Sequence, residues 1–281
     1  MNQDNQIRTF AAQIRMTTLR GLHKLGAGHI GGSMSMADLM AVLYSGVMQV
    51  DPHNPGWEDR DWLVVSKGHC GPAVYATLAL RGFFPMEEIE TINQPGTRLP
   101  SHCDRNKTPG IDMSTGSLGQ GMSTALGVAW GNRYRGKSNY TYLILGDGEC
   151  DEGQVWEGAL CAHQQKLDHL IAFVDFNRKQ LDGYTEDVCD LGDLRGKFEM
   201  FGWDAQQVNG HDPAAIRAAI EQAKATPGKP HMIVLQTEKG KGCTFAEGVL
   251  YNHYIKFTEE QYQQAVDALQ QQIDAMAGGE A

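Results

Sequence analysis

No apolar run in this chain approaches the ~20 residues needed to cross a bilayer, and the opening MNQDNQIRTF lacks the layout of a secretory leader. An excess of positive charge is missing too. The 34 acidic and 24 basic residues leave a net charge of −10 at pH 7, which argues against non-specific nucleic-acid binding and against anionic membrane surfaces. The six cysteines (Cys70, Cys103, Cys150, Cys161, Cys189 and Cys243) form no CxxC pair and no short regular spacing. Disulfides and structural zinc are therefore not expected, and a reduced, cytoplasmic setting is. Internal repeats and low-complexity tracts are absent as well. What the chain has in plenty is glycine, 33 residues gathered mostly where loops are expected, in an otherwise ordinary globular composition of 41% apolar and 21% charged residues. At 281 residues it can bury a sizeable core.

The most informative stretch runs from residue 140 to 183. The apolar run Tyr142-Leu143-Ile144-Leu145 breaks at Gly146-Asp147-Gly148, a helical segment covers about 152–166, and a second apolar run, Leu170-Ile171-Ala172-Phe173-Val174, ends at Asp175-Phe176-Asn177. Strand, helix and strand in this order predict a right-handed crossover in a parallel sheet. Asp147 and Asn177 then both emerge at the carboxyl edge, where open α/β sheets bind ligands. A carboxylate and an amide oxygen are hard donors that suit Mg²⁺ or Ca²⁺, and Mg²⁺ commonly completes its shell with phosphate oxygens. Gly-Asp-Gly alone is more readily a plain turn. Asn177 at the end of the next strand is what turns the reading toward a ligand site.

The rest of the chain supports an α/β architecture. A helix is predicted over 6–25, followed by a flexible polar loop, His29-Ile30-Gly31-Gly32-Ser33-Met34-Ser35, and a second helix over 36–48. His29, flanked by small residues, is expected in that loop, either simply solvated or at a site. A strand over 62–65 ends at Ser66-Lys67-Gly68-His69, and a helix over 71–79 follows. His69 thus repeats the placement of Asp147; it reads either as a capping residue or as a phosphate contact at a helix start. Residues 93–121 form a long Gly/Pro/Ser-rich segment that holds His102 and leads into a small-residue helix ending near Tyr134. A loop covering the site is expected over 181–201, strands over 203–208 and 231–236, and helices over 213–225 and 258–276, the last with an exposed character. Asn209-Gly210-His211-Asp212 reads as a turn with a helix cap. Lys239-Gly240-Lys241-Gly242 lacks the spacing of a phosphate-binding P-loop.

Laid out in this order, the chain resembles the N-terminal, diphosphate-binding portion of transketolase over nearly its whole length. AGHIGGSMSMADL (27–39), SKGHCGPAVYA (66–76), STGSLGQG (114–121), GDGECDEGQVWE (146–157) and VDFNRKQLDG (174–183) are similar to five motifs of that family, in register. The resemblance implies a single diphosphate-binding domain over 1–281, with a parallel sheet and helices on both faces in the thiamine diphosphate-binding fold. It implies that Asp147, Asn177 and the backbone carbonyl of Lys179 hold Mg²⁺, with Ca²⁺ or Mn²⁺ as alternatives. His69, Gly148, Asn177 and His253 would sit at the diphosphate, Gly116, Ser117 and Leu118 near the cofactor rings, and His29, His102 and His253 at the sugar. Glu152 matches a carboxylate at the family's subunit interface.

Two departures stand out: Phe176 intervenes before the metal-binding asparagine, and His253-Tyr254 replaces the family's His-Gly. The family's pyrimidine-binding and C-terminal domains, including the glutamate that activates the cofactor, have no counterpart here. The expected protein is therefore one subunit of a split transketolase, paired with a pyrimidine-binding chain, two copies of each, moving a two-carbon ketol unit between sugar phosphates. The other readings are a subunit of a 2-oxoacid dehydrogenase or deoxyxylulose-phosphate synthase, which share the GDG…N site, and a non-catalytic thiamine diphosphate-binding protein.

Overall fold

The computed structural model describes residues 2–278. Helix α1 (Gln3–His23) begins where the Asn2 side chain accepts the Asn5 amide at 2.8 Å, satisfying one of the donors a helix start leaves open. A short strand β1 (Ala27–Gly28) precedes helices α2 (Gly31–Ser35) and α3 (Ala37–Val42), which end in a π-type turn at Leu43–Val47. Strand β2 (Trp62–Val65), helix α4 (Gly71–Leu80) and a long irregular stretch lead to helix α5 (Gln120–Tyr134). Next come β3 (Thr141–Gly146), α6 (Gly153–Gln164), β4 (Leu170–Phe176), α7 (Thr185–Val188) and α8 (Leu194–Met200). Strand β5 (Asp204–Asn209), helix α9 (Pro213–Ala225), strands β6 (His231–Gln236) and β7 (Ile255–Lys256) and helix α10 (Glu259–Gly278) complete the chain.

Five strands form one parallel sheet in the order β2-β3-β4-β6-β5. Its central strands are apolar throughout because both faces are covered. Tyr142, Ile144, Ile171, Phe173, Ile233 and Leu235 point into the core shared with α1, α3, α4, α9 and α10. Leu143, Leu145, Ala172, Val174, Met232 and Val234 alternate with them into a second core under α5, α6 and α8. The expected parallel sheet with helices on both faces is what the structure contains. Each fully buried aromatic, such as Phe173, is worth about 3–5 kcal/mol against alanine.

The register matters for function. Val65 pairs with Ile144, Gly146 with Asp175, and Phe176 with Gln236, so residues 66, 147, 177 and 237 leave the sheet side by side at its carboxyl edge. Separately, β1 and β7 pair antiparallel, Gly28 opposite Ile255, which brings the residue after β1 and the segment before β7 to the same place.

Three expectations need correction. Residues 31–35 are not a flexible polar loop but a buried helix, α2, pinned by the Arg15 Nε bond to the Met34 carbonyl at 3.3 Å. His29 is accordingly half-buried rather than displayed in solvent. Helix α10 is not merely an exposed tail: Ala265, Leu269 and Met276 are buried in the first core. In each case tertiary packing outweighs the weak local helix preference of Gly and Ser or the polar look of a Gln-rich stretch.

Candidate active site

The carboxyl edge of the sheet opens into a cavity of about 220 Å³, lined among others by His29, Lys67, His69, His102, Asp147, Asn177, Lys179, Lys239 and His253. Asp147 follows β3 directly. Its Oδ1 accepts the Gly148 amide at 2.9 Å and its Oδ2 the Arg178 amide, so the turn after β3 is tied to the turn after β4. Burial first, and then the nearby Asp175 carboxylate, push the Asp147 pKa up to about 7.

Asn177 follows β4, and its orientation is set from behind. Its Nδ2 donates to Asp175 Oδ2 at 3.1 Å, which turns Oδ1 away as an acceptor; Oδ1 takes a 3.2 Å bond from the Lys179 amide. Asp175 is itself fully buried and also accepts from Lys67 Nζ, Ser35 Oγ and Thr237 Oγ1. Burial opposes its charge, but Lys67 and the two hydroxyls outweigh burial and hold the carboxyl below its ordinary range. Burial works against the Lys67 charge, but Asp175 together with Cys70 and Asp147 outweighs burial, so it stays a cation. Glu149 joins the other side of the edge, accepting from Ser66 Oγ, from the Gly119 amide at 2.8 Å and from the Gly146 amide at 3.0 Å. Three separate stretches of sequence are thereby locked together by one buried carboxylate.

The histidines converge as the strand pairing requires. The His29 ring lies 5.3 Å from His253, 5.4 Å from His69 and 5.6 Å from His102, centroid to centroid, and His69 lies 4.6 Å from His253. Burial, then His102, lowers the His29 pKa to about 4; burial, then Lys239 and its neighbours, does the same for His253. His69 is held well below the ordinary value and His102 is also lowered, both chiefly by burial. At neutral pH the cluster is uncharged, and each ring can present one donor and one acceptor. Gly116 carries a φ of +143°, and a Cβ there would stand 2.9 Å from the His102 ring, so only glycine lets the backbone close over this histidine.

Of the residues singled out from the sequence, His29, His69, His102, Gly116, Leu118, Asp147, Gly148, Asn177, Lys179 and His253 all line the one cavity. Ser117 does not; its Oγ accepts from Gln120 Nε2 at 3.2 Å on the exposed side. Glu152 is exposed outside it, against Gly119. Sequence reasoning missed Lys67, Asp175, Glu149 and Lys239. Lys239 sits in the Gly-Lys stretch set aside for lacking P-loop spacing, yet its Nζ donates to the Lys179 carbonyl at 2.8 Å. Burial lowers its pKa to about 8. A signal existed for two of these residues: Lys67 and Asp175, like Asp147, stand at strand ends.

Among the described residues no three His, Cys, Asp or Glu side chains gather as a metal cluster. A divalent ion would have to rely on the Asp147 carboxylate, the Asn177 amide oxygen and the Lys179 carbonyl, a hard oxygen set that fits Mg²⁺ joined to a diphosphate. Lys67, Lys239 and Gly148 line the same cavity, the two lysines making that lining positive. The strand ends of this α/β protein thus carry hard oxygen donors and two lysines beside a cluster of neutral histidines, in one cavity.

Comparisons with known proteins agree. The family described as transketolase, thiamine diphosphate binding domain, matches residues 7–273. A 6-deoxy-6-sulfo-D-fructose transketolase subunit of a Clostridium species is 53% identical over 259 residues, 92% of this chain and 94% of that protein. An apulose-4-phosphate transketolase subunit from Phocaeicola vulgatus is 38% identical over 91% of this chain and 90% of its own length. Among solved structures, the transketolase of Campylobacter jejuni superposes with a TM-score of 0.88 at 28% identity, and that of Leishmania mexicana with 0.86 at 30%. Each is matched over 98% of this chain, which spans only 46% and 45% of their lengths. The chain belongs to the transketolase family, as an N-terminal, thiamine diphosphate-binding subunit.

Proposed function

We propose that this chain supplies the diphosphate half of a two-chain transketolase, with Mg²⁺ held by Asp147, Asn177 and the Lys179 carbonyl, and that a pyrimidine-binding subunit completes the site in an assembly with two copies of each. The observation that carries this reading is the convergence of Asp147, Asn177, Lys179 and four neutral histidines on one cavity. Thiamine diphosphate, when bound, supplies the electron sink for breaking and making the ketose carbon–carbon bond. On this reading Lys239 and His69 bind the diphosphate, with Lys67 held behind them by Asp175. His29, His102 and His253 serve the sugar, where a neutral imidazole can take or return a hydroxyl proton.

The partner is supported by the relatives that are named as subunits and matched over nearly their full length. It is also supported by exposed apolar side chains: Leu118 in the loop before α5, Trp130 and Tyr134 on α5, and Leu160 on α6. A Cβ at Gly127 or Gly131 of α5 would meet nothing, which lets another backbone approach this helix closely. The donor is a ketose with an anionic end. The relative named for a sulfonated deoxyfructose puts that sugar first on the donor panel, beside ketose phosphates.

Co-expression with the product of the neighbouring reading frame, followed by a ketol-transfer assay with thiamine diphosphate and Mg²⁺, tests the proposal. Transfer by the mixture and not by either chain alone is expected. Transfer by this chain alone would show that the second half of the site comes from elsewhere, and no transfer in any combination would return weight to a binding protein.

A further inference from the structure

His211 lies outside the cavity, at the turn after the edge strand β5, where the sequence suggests nothing more than a turn and a helix cap. In the structure it joins two otherwise separate systems. On one side, Arg15 of α1 pairs with Asp38 of α3, Nη2 to Oδ2 at 2.5 Å, both residues buried, and His211 Nδ1 meets the same Asp38 oxygen at 2.7 Å. On the other, the Glu238 amide points at His211 Nε2 at 2.8 Å. An amide can only donate, so Nε2 carries the lone pair and Nδ1 the proton, which it donates to Asp38. The ring is fixed as one neutral tautomer by its two partners.

Glu238 is one step from the cavity in two directions. Its carboxylate bonds Lys179 Nζ at 2.7 Å, and the next residue, Lys239, bonds the Lys179 carbonyl at 2.8 Å. Its neighbours are pinned as well: Thr237 by Asp175, and Gly240 by its amide bond to the Gly31 carbonyl at 2.9 Å. The Lys239 carbonyl is tied by Asn252 Nδ2 at 2.7 Å, and the Glu238 amide is held by His211.

We infer that His211 is a positioning residue for the cofactor site: through the Glu238 amide it fixes the 237–240 segment, and so aims Lys239 and the Lys179 carbonyl at the diphosphate and its cation. This rests on the placement of the diphosphate given above. Outer partners that orient a ligand set commonly matter tenfold or more to what the set binds. The role differs from plain support of the fold, because the bond to Asp38 serves stability whereas the bond to Glu238 serves the site.

Two substitutions separate these bonds. His211→Gln places an amide oxygen near the position of Nε2 and can keep the Glu238 bond while giving up Asp38. His211→Asn places its amide nitrogen near Nδ1 and can keep Asp38 while giving up Glu238. Thiamine diphosphate is titrated with Mg²⁺ into the full chain co-purified with its partner subunit, following tryptophan fluorescence, and melting temperatures are recorded alongside. H211N is expected to raise the cofactor Kd about tenfold with the smaller loss of melting temperature, and H211Q to keep the Kd within about threefold with the larger loss. Wild-type affinity in H211N, or Kd values that simply follow melting temperature, would overturn the inference. If H211N fails to fold, H211Q decides: retained affinity supports the relay and a tenfold loss overturns it. A wild-type complex that binds no cofactor would instead overturn the placement of the diphosphate, and this inference with it.

Discussion

Asp61 and Asp112, at the amino ends of the strands, are 3% and 8% exposed; Asp147 and Asp175, at the carboxyl ends, are 2% and 1% exposed. Burial raises the pKa of Asp61 and Asp112 just as it raises that of Asp147. Their partners are what differ. Asp61 accepts the amides of Gln49 at 2.9 Å and Tyr140 at 2.7 Å, and Asp112 takes Arg60 and the Leu63 amide at 2.9 Å. Each closes a loop onto a strand start, and its bonds are consumed in doing so. At the other end, Asp175 holds Lys67 and orients Asn177, while Asp147, Asn177 and Lys179 all line one cavity. A buried carboxylate with a shifted pKa is therefore not enough to mark a site. Convergence of several polar residues on one shared cavity is.

The sharpest way to break this comparison is to truncate one carboxylate from each end. Asp175→Ala leaves Lys67 buried without its counter-ion and is expected to cost about 3–5 kcal/mol in urea unfolding, together with loss of measurable thiamine diphosphate binding. Asp112→Ala strands Arg60 and is expected to cost about 3 kcal/mol as well, with cofactor affinity unchanged. Equal effects of the two on binding would end the distinction drawn between the two ends.

Next in size, Asp147→Ala removes a cation donor that bonds only two backbone amides. Mg²⁺-dependent cofactor affinity should fall about a hundredfold, while calorimetry finds the melting temperature near that of wild type. His29→Ala should lower kcat about a hundredfold in the reconstituted enzyme and leave cofactor Kd alone. A matching rise in Kd would move His29 from the sugar to the cofactor.

The smallest effect is that of pH. His29 and His253 have folded-state pKa values of about 4, below the 6.5 of an unfolded chain. Between these values the unfolded chain binds more protons, so stability rises with pH in this window and is lost as pH falls from about 6.5 toward 4. A melting temperature that drops over that range, and drops less in His29→Ala, is the expected result. A flat profile would mean that the cluster is more hydrated than its burial indicates.

The five strands of the parallel sheet, helix α9 and the strand-end positions of His69, Asp147 and Asn177 were legible because those signals are local: apolar runs, Asp212-Pro213 at a helix start, Gly-Asp-Gly at a strand end. Helix α2 was not legible, since Gly31-Gly32-Ser33 is helical only inside the packing of α1 and α4. Nor was the half-burial of His29, which depends on β1 pairing with a strand more than two hundred residues away. Asp175, Glu149 and Lys239 escaped notice for the same reason. Their meaning lies in partners that only the sheet register brings alongside.

The proposed function puts a divalent cation and a diphosphate at the carboxyl edge between β3 and β4. A crystal of the two-chain complex grown with thiamine diphosphate and Mn²⁺ in place of Mg²⁺, with anomalous diffraction recorded at the manganese edge, would show where the cation sits. One strong peak is expected within coordinating distance of Asp147, Asn177 Oδ1 and the Lys179 carbonyl. Cofactor density without that peak, or a peak held by other residues, would overturn the assignment of those three residues.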